Sequence, residues 1–523
     1  MATDLEPTPA EQKLIDAAAR GEFADYRVGD EEVDDPVNGE NWGDERTLRA
    51  EIIYALCVGT RPEWTVHAKG VLAMGARIVG DLDFAAATLR VRLGLIYCRI
   101  VEPISLQDAR TRTLNFVGSH CRSISADRLV VEGGVFLRGG FTAKGEVRLL
   151  GADIGGDLDC DGARFENPDG VALNADGLVT KGAVFLRNGF VAKGEVRLLG
   201  ADIAGNLECD GARFENPGRR ALSADRLVTK GGVFLRQGFT AKGEVRLLGA
   251  NIGGNLDCIG ARFENLDGVA LSAENIRVGG ALFWRELAAQ PKGGVNFSHA
   301  RVGQLVDDKG SWPAPGNLIL DGFVYGSIAG DAPRTASERL EWLRLQPKPV
   351  RRQPYEQLVR VLRQLGREED AREIAIAKQE AIRKSDETGW LRSLWMVFLR
   401  ITIGYGYKPW RALIFMASFL VLGSIVFSVA HEGHIMVPSQ VKASEDPKPY
   451  ISCTESYPCL QPIMYSVDAF LPIIDLHQEK YWLPDVRKDY GWLYRAYLWL
   501  HISFGWILTT VLVAGLTGLV KKD

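Results

Sequence analysis

The segment GEVRLLGADIGGDLDCDGARFENP, residues 145–168, decides the fold, because it occurs three times almost unchanged. It returns as GEVRLLGADIAGNLECDGARFENP from Gly194 and as GEVRLLGANIGGNLDCIGARFEN from Gly243, so the copies start 49 residues apart. A fixed internal period of this size signals a solenoid. Inside it runs a finer rule: an apolar residue at i, another at i+2, a small or polar residue at i+5 and an apolar one at i+7. Val147, Leu149, Ala152 and Ile154 follow it, as do Leu158, Cys160, Ala163 and Phe165. Val171, Leu173, Asp176 and Leu178 continue it with one polar exception, and Val184, Leu186, Gly189 and Val191 complete the unit. The rule reaches back to Leu82, Phe84, Ala87 and Leu89, and to Leu93, Leu95, Cys98 and Ile100; it reaches forward to Leu318, Leu320, Phe323 and Tyr325.

Spacing of two puts side chains on one face of a strand, and a jump of five beside Gly and Asp fits a strand that turns a corner and restarts. No amphipathic helix repeats at two and five. Each unit is therefore expected to wind two coils of about 24 residues, and residues 64–328 on the order of eleven coils, a rod near 50 Å at about 4.8 Å per coil. A small residue ahead of each apolar one resembles the bacterial pentapeptide-repeat proteins, with GADIGGDLDCDGARF the best local match. The resemblance covers about half the chain and implies a right-handed quadrilateral β-helix. Extra residues interrupt the five-residue beat, so another β-solenoid cross-section stays open.

The fold class expected is mainly β solenoid, with an α-helical cap, a helical neck and a two-helix transmembrane domain. Residues 1–63 suit the cap, since exposed strand edges need covering; Leu48, Ile52 and Leu56 fall at helical spacing. Residues 329–389 make the neck. Its stretch 353–381 reads as two helices around Gly366 and resembles a single tetratricopeptide-like hairpin, either a docking adaptor or a spacer. Residues 390–411 read as an interfacial helix and bend.

Two uncharged runs, 412–430 and 502–520, are long enough to span a bilayer. The first is transmembrane helix 1; residues 493–523 hold transmembrane helix 2 and a tail, and 431–492 form the loop between. Arg392, Arg400, Lys408 and Arg411 precede the first span, and Lys521 and Lys522 follow the second. The positive-inside rule puts both termini and the solenoid on the cytoplasmic side, and the resemblance to bacterial proteins implies a bacterial inner membrane. In the external loop, Cys453 and Cys459 are a disulfide candidate. Cys160, Cys209 and Cys258 recur at the 49-residue period, but on inward positions where Cys is a small apolar filler.

Thr402–Gly406, TIGYG, reads like a potassium-channel selectivity filter. It lies before the first span rather than between the spans, so it reads as a bend. The stretch 460–476, apolar with Asp468 and two prolines, is too short to cross and is either re-entrant or surface-lying. Ser503, Thr510, Ala514 and Thr517 share one face of the second span, for helix packing or for lining a pore in an oligomer. His501 reads as interfacial.

With 66 acids against 62 Lys and Arg, the net charge is −4, and the unit 145–193 carries eight acids and five bases. This mild balance gives no footprint for nucleic acid. No dinucleotide fingerprint, phosphate loop, GxSxG or HExxH occurs, and HEGH (431–434) abuts a loop. No cofactor, metal or catalytic residue is indicated. The stretch 470–520 resembles an uncharacterised group of bacterial membrane proteins sometimes labelled membrane-associated oxidoreductase; no residue in this chain supports that label. The expectation is a non-catalytic scaffold or sensor that binds a protein partner on its solenoid. Its other partners are the lipid bilayer and a second copy through the membrane helices. The alternative is an oligomeric ion-conducting or membrane-disrupting module gated by the solenoid.

Overall fold

Parallel strands of two to eleven residues stack coil upon coil along four ladders, one per side of the coil. The computed structural model describes residues 6–349, 351–385, 390–439 and 458–517. They fall into two compact units, Met1–Ile374 and Ala375–Asp523. The first is a β-solenoid of about eleven turns. One ladder runs from Thr88 through Arg110, Val130, Asp153, Val179 and Asp202 to Val324. Coil length is read along it. From Arg110 to Val130 a coil takes 20 residues; from Asp153 to Val179 it takes 26, and from Val179 to Asp202 it takes 23. The 49-residue unit is thus two unequal coils.

The inward positions make the core. Leu158, Val184, Leu207, Val233 and Leu256 stack in register, all buried. Phe141, Phe165, Phe190, Phe214 and Phe239 form a column with ring centroids 5.1–6.0 Å apart and planes near perpendicular, the edge-to-face geometry aromatic pairs prefer. One corner is backbone on backbone. Gly182, Gly205, Gly231, Gly254 and Gly280 each donate N–H to the glycine carbonyl one coil away, at 2.8–3.1 Å. A Cβ on Gly254 would lie 2.9 Å from the Gly232 nitrogen, so only glycine lets the coils close here.

In two places the inward register differs from the expected one. Leu173 and Ala175 point inward with Leu178, whereas Asp176 faces out and pairs with Arg197 at 2.5 Å. Phe190 and Ala192, not Gly189 and Val191, fill the next side. The cause is two longer corners: seven residues run from Val184 to Val191 where the neighbouring coil takes six from Leu158 to Arg164, and four residues are inserted at another corner. That corner takes nine residues from Arg164 to Leu173 but five from Val191 to Val196 in the next coil.

The first open edge is covered by α1 (Pro9–Arg20) and α2 (Ala50–Val58). Helix α1 starts in a capping box between Thr8 and Glu11, which satisfies two free donors at once. Leu48 is not helical as its spacing suggested: Thr47–Arg49 is a strand paired with Arg77–Val79, because an inward Leu opposite Ile78 extends the ladder. The last edge is covered by α3 (Ala336–Leu343) and α4 (Gln353–Gln364). Gln353 and Gln357 donate to the carbonyls of Phe323 and Tyr325 at 3.1 and 2.7 Å, so side chains replace the missing next coil. Helix α5 (Glu368–Ser385) follows Gly366, whose φ is +74°.

The second unit holds α6 (Trp390–Ile403), α7 (Trp410–Glu432), α8 (Pro462–Phe470) and α9 (Gly491–Leu516). Helices α7 and α9 are long and apolar enough to cross a membrane. The filter-like stretch forms a 3-10 turn, Gly404–Gly406, with Tyr405 at φ +56°, and joins α6 to α7. Met436–Pro438 and Trp482–Pro484 pair antiparallel, tying the ends of the loop between α7 and α9 together.

Candidate functional site

The four-residue insertion recurs at 166–171, 215–220 and 264–269, always on the same corner, and raises three bulges on alternate coils. Each is built alike. Asn167, Asn216 and Asn265 donate side-chain N–H to the carbonyls of Val171, Arg220 and Val269 at 2.9, 2.7 and 2.8 Å, closing the bulge from inside. Glu166, Glu215 and Glu264 pair at its base with Lys193, Lys242 and Lys292 at 2.9, 3.0 and 2.9 Å. Lys193 beside Glu166 holds its carboxyl below the usual range, against the opposing effect of partial burial. The bulge backbone folds over Gly194, Gly243 and Gly293, whose φ values of +116°, +123° and +126° suit glycine.

Between the bulges lies an open cleft of about 530 Å³ lined by Glu195, Asn216, Arg219, Arg220 and Glu244 among others. Arg220 approaches Glu244 at 3.8 Å, and Ser223 donates to Glu195. The bulges are alike in build but not in charge: the first carries Asp169, the second Arg219 and Arg220, the third Asp267 and an 80% exposed Leu266. Sequence reasoning saw the repeats but missed the bulges; the signal was the E-N-P/L triplet beyond each Phe, where the two-residue rhythm stops.

The acids elsewhere on the surface serve the stack. Arg148–Asp127, Arg197–Asp176 and Arg246–Asp225 bridge successive coils at 2.7, 2.5 and 2.8 Å. The thiols serve the core. Cys57, Cys98, Cys121, Cys160, Cys209 and Cys258 are free and buried; burial pushes Cys98 and Cys121 up to about 12 and the repeat cysteines well above their ordinary value. These six thiols should stay unmodified by a water-soluble disulfide reagent until the chain is unfolded. Cys209→Ala should cost only about 1 kcal/mol, read as a small shift of the unfolding midpoint. Cys459 is disulfide-bonded, and Cys453 lies outside the described residues.

In the second unit, α8 packs into the groove between α7 and α9. Glycines admit it: a Cβ on Gly423 would lie 2.4 Å from Ser466 Oγ, and one on Gly505 1.9 Å from the Phe470 carbonyl. His501 is 1% exposed, its Nε2 3.2 Å from both Ser466 Oγ and the Ser466 carbonyl. It is buried because Gly423 and Gly505 bring Ser466 close enough to pair with it. Asp468 accepts backbone N–H from Leu476, Gln478 and Glu479 at 2.5, 2.7 and 2.8 Å, folding the return loop around its carboxylate.

Within the chain, α9 packs with Leu498, His501, Gly505, Leu508, Val511 and Gly515. Ser503, Thr510 and Thr517 are exposed and Ala514 is half-buried on another side of the helix. Ser503 and Thr517 donate to the carbonyls of Trp499 and Val513 at 2.8 Å. Among the described residues no three His, Cys, Asp or Glu side chains gather to hold a metal, HEGH included. No protein-family model, curated protein or solved structure matches this chain, so the resemblance to an oxidoreductase-labelled group gains no support from that side.

Proposed function

We propose that this chain is a membrane-anchored β-solenoid that serves as a non-catalytic scaffold or sensor, holding a protein partner along its bulged corner. One observation carries the reading: at every second coil the chain spends four residues on a bulge that adds nothing to the core yet walls a cleft. Stacked coils suit extended binding surfaces; Leu266 on the third bulge is exposed, and Arg219 and Arg220 on the second line the cleft, so the corner offers apolar and cationic contacts. The pentapeptide-repeat kinship and a bacterial inner-membrane location belong to the same reading. So do a multi-pass topology and a cytoplasmic side for the solenoid and both termini. They are supported by the small-before-apolar pattern and by the Lys and Arg flanking the two spans.

The test is site-specific photo-crosslinking of the full chain in its own membranes. A photoreactive residue at Leu266 or Arg219 should trap one discrete partner protein, and the same residue at the outward Val179 should trap none. Equal yields from all three sites, or none from any, would remove the partner from this corner.

A further inference from the structure

The return loop after α8 carries polar groups at a depth where lipid offers no partner. Phe470 stacks on Phe419, ring centroids 5.9 Å apart, and its carbonyl abuts Gly505. At 1.5 Å per residue, Phe419 lies roughly 20 Å from the Glu432 end of α7, and Gly505 roughly 21 Å from the Gly491 end of α9. The two helices, of 23 and 26 residues, are about 35 and 39 Å long. Phe470 therefore sits near mid-span. The chain then climbs back, because Gln478 Oε1 accepts the Gln461 N–H at 3.0 Å at the start of α8.

Along this climb the backbone is not helical. Asp468 serves three of its N–H groups, but among the described residues the carbonyls of Pro472, Ile473, Ile474, Asp475 and Leu476 accept no hydrogen bond. Ile473 is 81% exposed. Asp475 pairs with Lys480 at 2.5 Å and with His477 at 2.9 Å, and all three side chains are more than half exposed. Irregular backbone at membrane depth persists only where protein buries it or water bathes it, and charged side chains there face water or one another. The chain's own helices cover one side of this loop and leave the other open.

We infer that copies of this chain assemble so that the return loop 471–480 lines a water-filled path conducting small cations. Rows of carbonyl oxygens replace a cation's hydration shell, and their negative ends repel anions. The occupant of the open side is a second copy because the loop's unmet acceptors need water enclosed by protein, which the described residues of one chain do not provide. The exposed Ser503, Thr510 and Thr517 on α9 supply small side chains for close approach of that copy. The inference stands apart from the scaffold reading, whose test addresses the solenoid corner.

The full chain, reconstituted in sealed phosphatidylcholine–phosphatidylglycerol vesicles, provides the test, with labelling of the parent chain subtracted. Ile473→Cys should be modified by a charged, membrane-impermeant thiol reagent, and the vesicles' potassium flux, present beforehand, should be lost. Thr510→Cys should form disulfide-linked dimers on mild oxidation. Asp475→Cys gives the same readout if Ile473→Cys misfolds, with circular dichroism as the folding check. A protected thiol at both positions means that lipid or packed protein covers the loop, and overturns the proposal. So does modification without potassium flux, chloride flux in its place, or a Thr510→Cys chain that stays monomeric.

Discussion

Arg339→Ala is expected to unfasten the C-terminal cap of the solenoid at a cost of roughly 3–5 kcal/mol, the penalty for stripping one partner from a buried ion pair. The Arg339 side chain is fully buried. Its two terminal nitrogens grip the Asp307 carboxylate at 2.8 and 2.6 Å, a bidentate pair that Trp312 Nε1 completes at 2.8 Å. The guanidinium also lies 5.1 Å from the Trp342 ring. Removing it leaves a carboxylate in an apolar pocket between the last coils and α3. The midpoint of chemical unfolding, followed by the β signal of circular dichroism on the full chain in detergent, should fall accordingly. Asp307→Leu combined with Arg339→Met should recover most of the loss, since apolar groups of similar volume often match a buried pair. An unchanged midpoint for Arg339→Ala would show that the cap contributes nothing to the stack.

Gly194→Ala should cost roughly 2–6 kcal/mol, adding backbone strain of about 1–3 to overpacking of about 1–3. Its φ is +116°, and a Cβ would lie 2.3 Å from the Asn167 carbonyl oxygen and 2.9 Å from that of Gly170. The first bulge would have to lift off the coil beneath it. Gly200 is the control. It also has positive φ, +63°, but nothing lies within 4 Å of its Cβ position. Gly200→Ala should therefore lose only the left-handed preference, about 1–2 kcal/mol. Thermal midpoints of the two variants, and protease cutting near residue 168, separate the effects. Equal midpoints would mean that the bulge does not press on Gly194.

How much was legible follows from which residues carry short-range and which long-range information. Val147 through Phe165 could be placed inward one by one, because two-residue alternation is a property of the strand itself. Asp176 and Val191 could not: four inserted residues after Phe165 reset the phase for the first, one extra residue before Phe190 reset it for the second, and nothing local says how a longer corner closes. Leu48 misled for a related reason: at helical distance from Ile52, it answers instead to Ile78 on the neighbouring coil. In the second unit, Ser503, Thr510, Ala514 and Thr517 were legible as one face. That they lie away from the chain's own packing, while Gly505 and His501 meet α8, depends on where Phe470 and Ser466 come to rest.

The sequence alone determined the period, the parallel coil and the two long apolar helices, since each follows from spacing along the chain and from transfer of apolar groups out of water. Only the tertiary structure decided the bulged corner, the burial of Arg339 against Asp307 and the return of the loop after α8. Each of these joins residues far apart in sequence, through hydrogen bonds and steric fits that no local pattern encodes.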